Sequence, residues 1–492
     1  MYNEEMSQDD DEDMPFLPLV REGYKYLGLI QVERDTLLNF DRTKANITNK
    51  IVPILQSKLA PAQKIHMINT SVIPAILYVM GNIYLREARA STLAKCDDLD
   101  KEIRKLLVNY KLHGRTCTRA SVYLPKELSG LGLHSIKFQT EIQYIKKYVY
   151  LEYNPEMEEI RARYERLASA EWRNPLTDAR AVLQKYNIEL PPKMEHEETN
   201  TYARRSAETL KKHQILQLQR SWESSYQYAR LVGQNKQKIS FPAYTDIRLE
   251  DWMYSLIRAA TEEQVIGPDP ATRRRCRYGC NAYEDTYHVV SNCPVPAFTT
   301  RHDQAVHYIL REILVGTEAP EDVLAQLPFG KAIMVSDYSW RNRQVKVRAG
   351  VKIKTNPALH HNRPDIVICL TNPNEVFVLE IAISHLRNIR EQEQLKKVRY
   401  KRNSQIEITP QNYKDAPRSL NICEALGRMY KAPVKFGVLV LGALGEILRT
   451  EDHVESLTIL NHLGVHKVQW LLRKCSVSIC EATAKILVNR LN

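Results

Sequence analysis

The sequence predicts a mixed α and α/β protein, with a helical N-terminal half and an α/β C-terminal part. Three observations support this fold class. Apolar residues recur every three or four positions through most of 43–170, a compact cysteine-rich segment lies at 276–293, and two apolar strand-like runs follow within 365–383. Because a chain of 492 residues exceeds what one ordinary core can hold, we expect two to four structural units.

Composition and charge narrow the function classes. The formal net charge is +12, which favours a polyanionic partner, with nucleic acid as the first candidate. The nine cysteines follow no disulfide pattern, as is typical of a reducing compartment. The most apolar run, 436–448, is too short to span a bilayer, so we expect a soluble protein without a membrane partner.

The N-terminal segment is acidic. Residues 1–13 carry seven acidic groups and no basic one, and they contain little that a core could bury. A metal site built from these aspartates would need a hydrophobic strand and a tight turn around them, which the segment lacks. We therefore predict a disordered acidic tail over 1–23.

Helical periodicity dominates residues 43–170 and predicts a bundle. Pro61 is expected to open one helix and Pro74 to kink it. A later helix should bury Leu99, Ile103, Leu106 and Leu107. The segment "YLPKELSGLGLHSI" at 123–136 interrupts the helices, which then resume.

Residues 171–268 are predicted to form a helical basic linker. Between 201 and 240, eight Lys or Arg residues accompany only two Glu. With Trp222, Tyr226 and Tyr228 interleaved, this helix suits phosphate contact and base stacking. The alternative is a solvated basic helix whose Trp222 packs inward, and the sequence does not decide between the two.

Three cysteines and a histidine at C-x3-C-x7-H-x4-C spacing, Cys276, Cys280, His288 and Cys293, match the ligand set of a structural Zn²⁺ site. Because so short a segment has no core of its own, the metal would supply its folding free energy. Four cysteine and histidine side chains buried without metal are the alternative. Four arginines crowd the rim, where phosphate would dock: Arg273, Arg274, Arg275 and Arg277.

The strongest chemical signal follows in "RPDIVICLTNPNEVFVLEIAISH". Two strands, 365–370 and 375–383, flank a four-residue turn at 371–374. If Leu370 faces Glu375, the same register places Asp365 opposite Glu380, with Cβ atoms about 5 Å apart. Such a pair could hold one hard cation, Mg²⁺, whereas a salt bridge to a basic group is the alternative.

A basic helix over 385–403 follows the two strands, and a lysine from it, directed at the carboxylate pair, would stabilise charge on a phosphate. Before the strands, "QVKVRAGVKIK" predicts a half-buried strand with a cationic face. The C-terminal residues predict another buried strand and two helices that cover the sheet.

Several of these motifs, in this order, resemble the proteins of non-LTR retrotransposons that encode a restriction-like endonuclease. The stretch "YKYLGL" at 24–29 and the helices through "YLPKELSGLGLHSI" resemble the end of the palm and the thumb of their reverse transcriptases. The cysteine–histidine segment resembles their CCHC zinc knuckle. Pro364-Asp365 followed by Glu380 resembles a PD-(D/E)xK nuclease core.

The resemblance implies roles for individual residues. The standard nuclease pattern has its lysine at the position of Ala382. In the retrotransposon endonucleases it lies instead on the next helix in a Lys-x-x-Tyr setting, which matches Lys397 and Tyr400, with Lys396 as the second candidate. The arginine–histidine pair that follows the knuckle in the family matches Arg301 and His302. The residues predicted to contact nucleic acid are the four rim arginines with Arg301, His302, Lys396 and Lys401.

By this resemblance the chain is the C-terminal part of a retrotransposon polyprotein, with structural Zn²⁺ and catalytic Mg²⁺. The predicted units are the acidic tail 1–23, a thumb-like domain 24–170, the linker 171–268, the knuckle 269–300 and an endonuclease domain 301–492. It would act in the nucleus on target DNA, and would bind element RNA or an RNA–DNA duplex, nicking DNA to create the 3′ end that primes reverse transcription. Because the palm should lie upstream of Tyr24, we expect no self-sufficient polymerase activity.

Two alternatives stay open at this stage. The chain could be a truncated or domesticated protein that binds nucleic acid through its knuckle and basic helices without cutting it. It could also be the product of a decayed element. Binding measurements do not separate the first alternative from the endonuclease, because both bind; cleavage does.

Overall fold

The structure, a computed structural model, describes residues 24–26, 29–31, 38–82, 89–235, 239–246, 248–267, 269–449 and 451–491. The predicted acidic tail over 1–23 lies outside the described residues. The described part combines many helices with one large mixed sheet, which confirms the prediction of a mixed α/β protein. No helix within the described ranges is both long enough and apolar enough to cross a bilayer.

The N-terminal part contains a short hairpin and a set of packed helices. The hairpin is β1 (Tyr24–Tyr26) and β2 (Leu29–Gln31), and the helices are α1 (Leu38–Gln56), α2 (Pro61–Met67), α3 (Ile73–Asn82), α4 (Arg89–Asn109), α5 (Arg119–Tyr123), α6 (Ile136–Tyr153) and α7 (Glu158–Ser169). As predicted, Pro61 opens a helix, where its missing N–H costs no hydrogen bond. A π-helical turn, Ile68–Val72, directly precedes α3, which holds the predicted kink residue Pro74. Of the four residues expected inside α4, Leu106 alone is half-buried.

The segment predicted as a linker is well structured. It contains α8 (Pro175–Tyr186), α9 (Thr199–Ser225), α10 (Gln227–Gln234), β3 (Ile239–Ser240) and α11 (Asp251–Thr261). Trp222 and Tyr228 are each 1% exposed, and the Trp222 indole N–H donates to Glu262 at 3.1 Å. These two rings are therefore not available for base stacking, and the inward-packed alternative for the basic helix is correct for Trp222.

A seven-stranded sheet forms the centre of the C-terminal part. Its remaining strands are β4 (Met334–Trp340), β5 (Arg343–Ala349), β6 (Ile366–Leu370), β7 (Glu375–Ser384), β8 (Val434–Gly442) and β9 (Ile447–Leu448). The spatial order is β3-β9-β8-β7-β6-β5-β4, antiparallel except between β7 and β8. That parallel pair requires a crossover, which residues 385–433 provide. The predicted strand with a cationic face is β5: Val345 and Val347 are buried, whereas Lys346 and Arg348 alternate with them.

Helices cover both faces of the sheet, which explains why its central strands are apolar at nearly every position. These helices are α12 (Pro296–Gly316), α13 (Glu321–Ala325), α14 (Ile389–Lys397), α15 (Ile422–Tyr430), α16 (Glu451–His462) and α17 (Val468–Leu491). Ile366, Ile368 and Leu370 pack with α12, α16 and α17 on one face. Val367 and Cys369 alternate with them and face the other side, where they join α14, α15 and the N-terminal helices.

A continuous cluster of buried side chains links the helical and α/β parts. It runs from Phe40 in α1 through Trp222 and Tyr254 to Val378 in β7 and Leu487 in α17. An ion pair between the buried Lys64 and the half-buried Asp251, with nitrogen and oxygen 2.5 Å apart, adds to this junction. The predicted units therefore share a core, and their exact boundaries remain a prediction.

Candidate active site and metal-binding cluster

Two carboxylates meet where β6 begins and β7 passes it. The observed register runs from Leu370 opposite Glu375 to Ile366 opposite Leu379, as predicted, and its next step places Asp365 opposite Glu380. The Asp365 N–H donates to Glu380 Oε1 at 3.0 Å, and the Ile381 N–H donates to Asp365 Oδ2 at 2.8 Å. Each carboxylate thus accepts a backbone N–H from the opposite strand, which fixes the orientation of both.

Lys396 in α14 completes this pair. Its Nζ donates to Glu380 Oε2 at 2.7 Å and to Asp365 Oδ2 at 3.1 Å. Lys397, the first candidate for this position, instead lies 3.5 Å from Glu393. The second candidate, Lys396, is therefore the lysine that contacts the carboxylates. Its contact with nucleic acid stays a prediction.

Tyr400 and Lys401 lie in the π-helical turn that continues α14, Val398–Arg402. The centre of the Tyr400 ring lies 5.7 Å from Lys396 Nζ, and the Tyr400 hydroxyl donates to the Arg363 carbonyl at 3.2 Å. It is buried and holds Lys396 in place. Lys401 is exposed, and its Nζ lies 5.9 Å from the centre of the Phe436 ring.

The three ionisable groups, Asp365, Glu380 and Lys396, shift one another's pKa values. Burial, followed by the negative charge of Asp365, raises the pKa of Glu380 to about 8. Burial alone would raise the pKa of Asp365, but Lys396 and His302 hold it well below its usual range. The two carboxylates keep the pKa of Lys396 above its usual value despite burial of the ammonium. At neutral pH the site therefore contains an ionised Asp365 next to a cationic Lys396.

His302 enters the same site from the first turns of α12. Its Nε2 lies 3.5 Å from Asp365 Oδ2 and 3.2 Å from the Ile381 carbonyl oxygen, and its Nδ1 lies 3.2 Å from Asp303 Oδ1. Burial lowers the pKa of His302, but hydrogen bonds to Asp303 and Asp365 raise it to about 9 overall. The prediction of nucleic-acid contact for His302 did not anticipate this position, and Asp303 was missed entirely.

Arg301, the neighbour of His302, does not lie on a surface. It is 2% exposed and donates to the Thr483 hydroxyl at 2.8 Å and to the Val290 carbonyl at 2.9 Å. The prediction that Arg301 contacts nucleic acid is therefore wrong for this structure. The side chain instead joins the start of α12 to α17 and to the cysteine-rich segment.

The four predicted zinc ligands come together. One ligand atom from each of Cys276, Cys280, His288 and Cys293 lies within 4.8 Å of the others. Cys293 Sγ lies 3.5 Å from Cys276 Sγ and 3.8 Å from Cys280 Sγ. Tetrahedral zinc with Zn–S bonds of about 2.3 Å separates its sulfurs by about 3.8 Å. The cluster could therefore bind a metal such as zinc.

Local folding explains how these side chains converge. A tight hairpin, in which the Cys276 N–H donates to the Ala282 carbonyl at 2.9 Å, carries the first two cysteines. Its turn contains Gly279 at φ +76, a backbone conformation that favours glycine. A π-helical turn, His288–Asn292, then presents His288 and ends at Cys293. Within the described residues, the buried His288 Nε2 has no hydrogen-bond partner, as expected for a nitrogen that ligates a metal.

The rim of the cluster is cationic and aromatic. Arg274, Arg275 and Arg277 are exposed, whereas Arg273 is half-buried and donates to the Gly267 carbonyl at 2.8 Å. Two tyrosines of the same hairpin, Tyr278 and Tyr283, are 55% and 56% exposed. This surface offers both charge and ring faces to a ligand.

Comparison with known proteins gives no further identification: no protein-family model matches the sequence, and no curated protein matches it significantly.

Proposed function

We propose that the chain is a metal-dependent DNA endonuclease with a restriction-like core, derived from a non-LTR retrotransposon. The observation that carries this proposal is the meeting of Asp365, Glu380 and Lys396 at the end of two paired strands, with nitrogen–oxygen distances of 2.7 and 3.1 Å. A paired acid and lysine at this position of a mixed sheet are the groups that phosphodiester hydrolysis needs. The nick would provide the 3′ hydroxyl that primes reverse transcription in the nucleus.

The oxygen atoms around Asp365 suit a hard cation. Mg²⁺ prefers oxygen ligands, and three groups here could supply them: the Asp365 carboxylate, the Glu380 carboxylate and the Ile381 carbonyl. The Ile381 carbonyl lies near Asp365, because both contact His302 Nε2. When bound, Mg²⁺ would polarise the scissile phosphate and lower the pKa of a water. In the hydrolysis, a water oxygen bonds to phosphorus and the P–O3′ bond breaks. Lys396 stabilises the charge that develops on the phosphate. Asp365 contacts both Lys396 and His302 and thereby orients these two side chains toward the phosphate.

Other features supply contacts to nucleic acid. A groove of about 620 Å³ on the N-terminal helices is lined by Lys101, Arg104, Lys105, Arg115 and Arg119. The exposed arginines and tyrosines of the cysteine-rich hairpin suit phosphate contact and base stacking in a zinc knuckle. With the net charge of +12, these features favour DNA and element RNA, or an RNA–DNA duplex, as partners.

Plasmid nicking tests the proposal. We expect the purified protein with Mg²⁺ to convert supercoiled plasmid to the open-circular form, and Asp365→Ala to leave the plasmid supercoiled. The substitution removes an acceptor that also receives the Ile381 N–H, so circular dichroism must first show that the variant is folded. Equal nicking by the two proteins would refute the assignment of Asp365.

Separate substitution of the two adjacent lysines tests which one is catalytic: Lys396, as the structure indicates, or Lys397, as the Lys-x-x-Tyr motif predicts. We expect Lys396→Met to reduce the nicking rate by ~10²–10³-fold, because it removes a lysine that contacts both carboxylates. Lys397→Met should keep a rate near that of the unaltered protein, since Lys397 pairs with Glu393. Initial rates on supercoiled plasmid measure both. The reverse order of the two rates would restore Lys397 as the catalytic lysine.

A second candidate function is nucleic-acid binding without cleavage. The observation that favours it is the direct contact of Lys396 with both carboxyl groups, which balances the negative charge of Asp365 without a metal ion. In that case the protein binds DNA in a salt-dependent manner, neither it nor Asp365→Ala nicks plasmid, and Mg²⁺ leaves its thermal stability unchanged.

A further inference from the structure

An arginine from the far C-terminal end of the described chain lies inside the metal-binding cluster. Arg490, in the last turn of α17, has a side chain that is 2% exposed. Its Nη2 lies 2.6 Å from Cys293 Sγ, and its Nη1 and Nη2 lie 4.0 and 3.9 Å from Cys276 Sγ. None of the four ligands is near Arg490 in sequence, so the contact is tertiary and joins α17 to the hairpin.

Further contacts fix this guanidinium. Nη1 donates to Glu284 Oε1 at 2.5 Å, and the Tyr278 ring lies 4.1 Å from the guanidinium carbon. Arg277 donates to the Arg490 carbonyl at 2.5 Å and lies 3.5 Å from Glu284. The end of α17 is thus held by both its side chain and its backbone.

Charge explains why an arginine is buried here. Zinc with three thiolates and a neutral histidine carries a net charge of −1, and Glu284 adds another negative charge at its edge. Arg490 and Arg277 bring two positive charges, so the metal-loaded assembly is neutral. Without Arg490, the anionic metal unit and Glu284 would lie together in a poorly solvated site, which is unfavourable.

We propose that Arg490 is a positioning residue of the metal cluster: it donates hydrogen bonds to the cysteine sulfurs, strengthens metal binding, and makes docking of the end of α17 depend on the metal. Outer partners of this kind orient and tune metal ligands. The proposal rests on metal binding by the cysteine–histidine cluster, and it holds whether or not the protein cuts DNA.

Zinc affinity of the full chain tests the first part. In competition with a chromophoric zinc chelator, Arg490→Met should bind zinc ~10–100-fold more weakly than the unaltered protein. Arg490→Lys keeps the charge without the planar fork and should fall between the two. Lys485→Met is the matched control, because Lys485 is an exposed cation of the same helix. Equal affinities in Arg490→Met and Lys485→Met would overturn the proposal.

Hydrogen exchange of the unaltered chain tests the second part and does not depend on whether a variant folds. We expect the amides of residues 484–491 to exchange more slowly with zinc bound than after chelation, whereas amides of β7 and β8 keep their rates. Identical exchange at the end of α17 with and without zinc would overturn the coupling, even if all the plasmid-nicking results came out as proposed.

Discussion

Replacing Glu380 by glutamine is expected to reduce plasmid nicking at least ~1,000-fold while the protein stays folded. Glutamine has the same shape, so its amide oxygen still accepts the Asp365 N–H that now lies 3.0 Å from Glu380 Oε1. What is lost is the ability of this side chain to ionise, and with it the negative charge that Glu380 would present to a bound hard cation. A loss of about 4 kcal/mol of transition-state stabilisation corresponds to that rate change. Initial rates of open-circle formation measure it.

Glu375→Gln is the matched control for this experiment. Glu375 begins the same strand, but it lies at the opposite end, where it pairs with Arg343 at 3.0 Å and Lys435 at 2.8 Å. We expect this variant to nick plasmid at the rate of the unaltered protein. If Glu380→Gln and Glu375→Gln nick equally well, Glu380 takes no part in the reaction.

The register of β6 and β7 could be predicted because the sequence contains all its determinants. A four-residue turn joins the two apolar runs and places their ends opposite each other, which sets the register. The alternation of side chains adds no information here, because both faces of β6 and β7 are buried. Asp365 and Glu380 follow from that register alone. The catalytic lysine of helix α14 was harder to predict, because two lysines, Lys396 and Lys397, are adjacent in the sequence. Lys396 and Lys397 precede Tyr400 by four and three residues, so helical spacing places either lysine on the face of Tyr400 and does not separate them. Only the packing of α14 against the strands shows that Lys396 contacts the carboxylates.

The positions of Arg301 and His302 could not be predicted from sequence spacing. Adjacent residues of a helix point about 100° apart, so one can enter the core while its neighbour enters a site. Which of them does so depends on how α12 packs against β7 and α17. The same holds for Trp222, since an aromatic residue in a basic helix is compatible with stacking and with burial. Only tertiary contacts decide between these outcomes.

Removing the metal is expected to destabilise the protein more than any surface substitution. A ligand that binds only the folded state at a free concentration 1,000 times its Kd contributes about 4.1 kcal/mol. Within the hairpin 276–283, Cys276 is the one buried residue, so the metal contribution should appear as a separate, chelator-sensitive unfolding step. We expect chelation to lower the temperature of that step by several degrees, and added Zn²⁺ but not Mg²⁺ to restore it. Differential scanning calorimetry measures both steps.

Two cysteine variants decide whether the effect belongs to the cluster. Cys293→Ser should unfold at the temperature of the chelated protein and should not respond to chelator, because it lacks the cysteine closest to both other thiols. Cys475→Ala removes a fully buried cysteine that packs in the other core, so it should be less stable overall yet keep its full response to chelator. If Cys293→Ser still lost stability on chelation, the chelated metal would not be the one held by this cluster. Because Arg301 joins Val290 in the π-helical turn of the cluster to Thr483 in α17, the chelator-sensitive step should also include the end of α17.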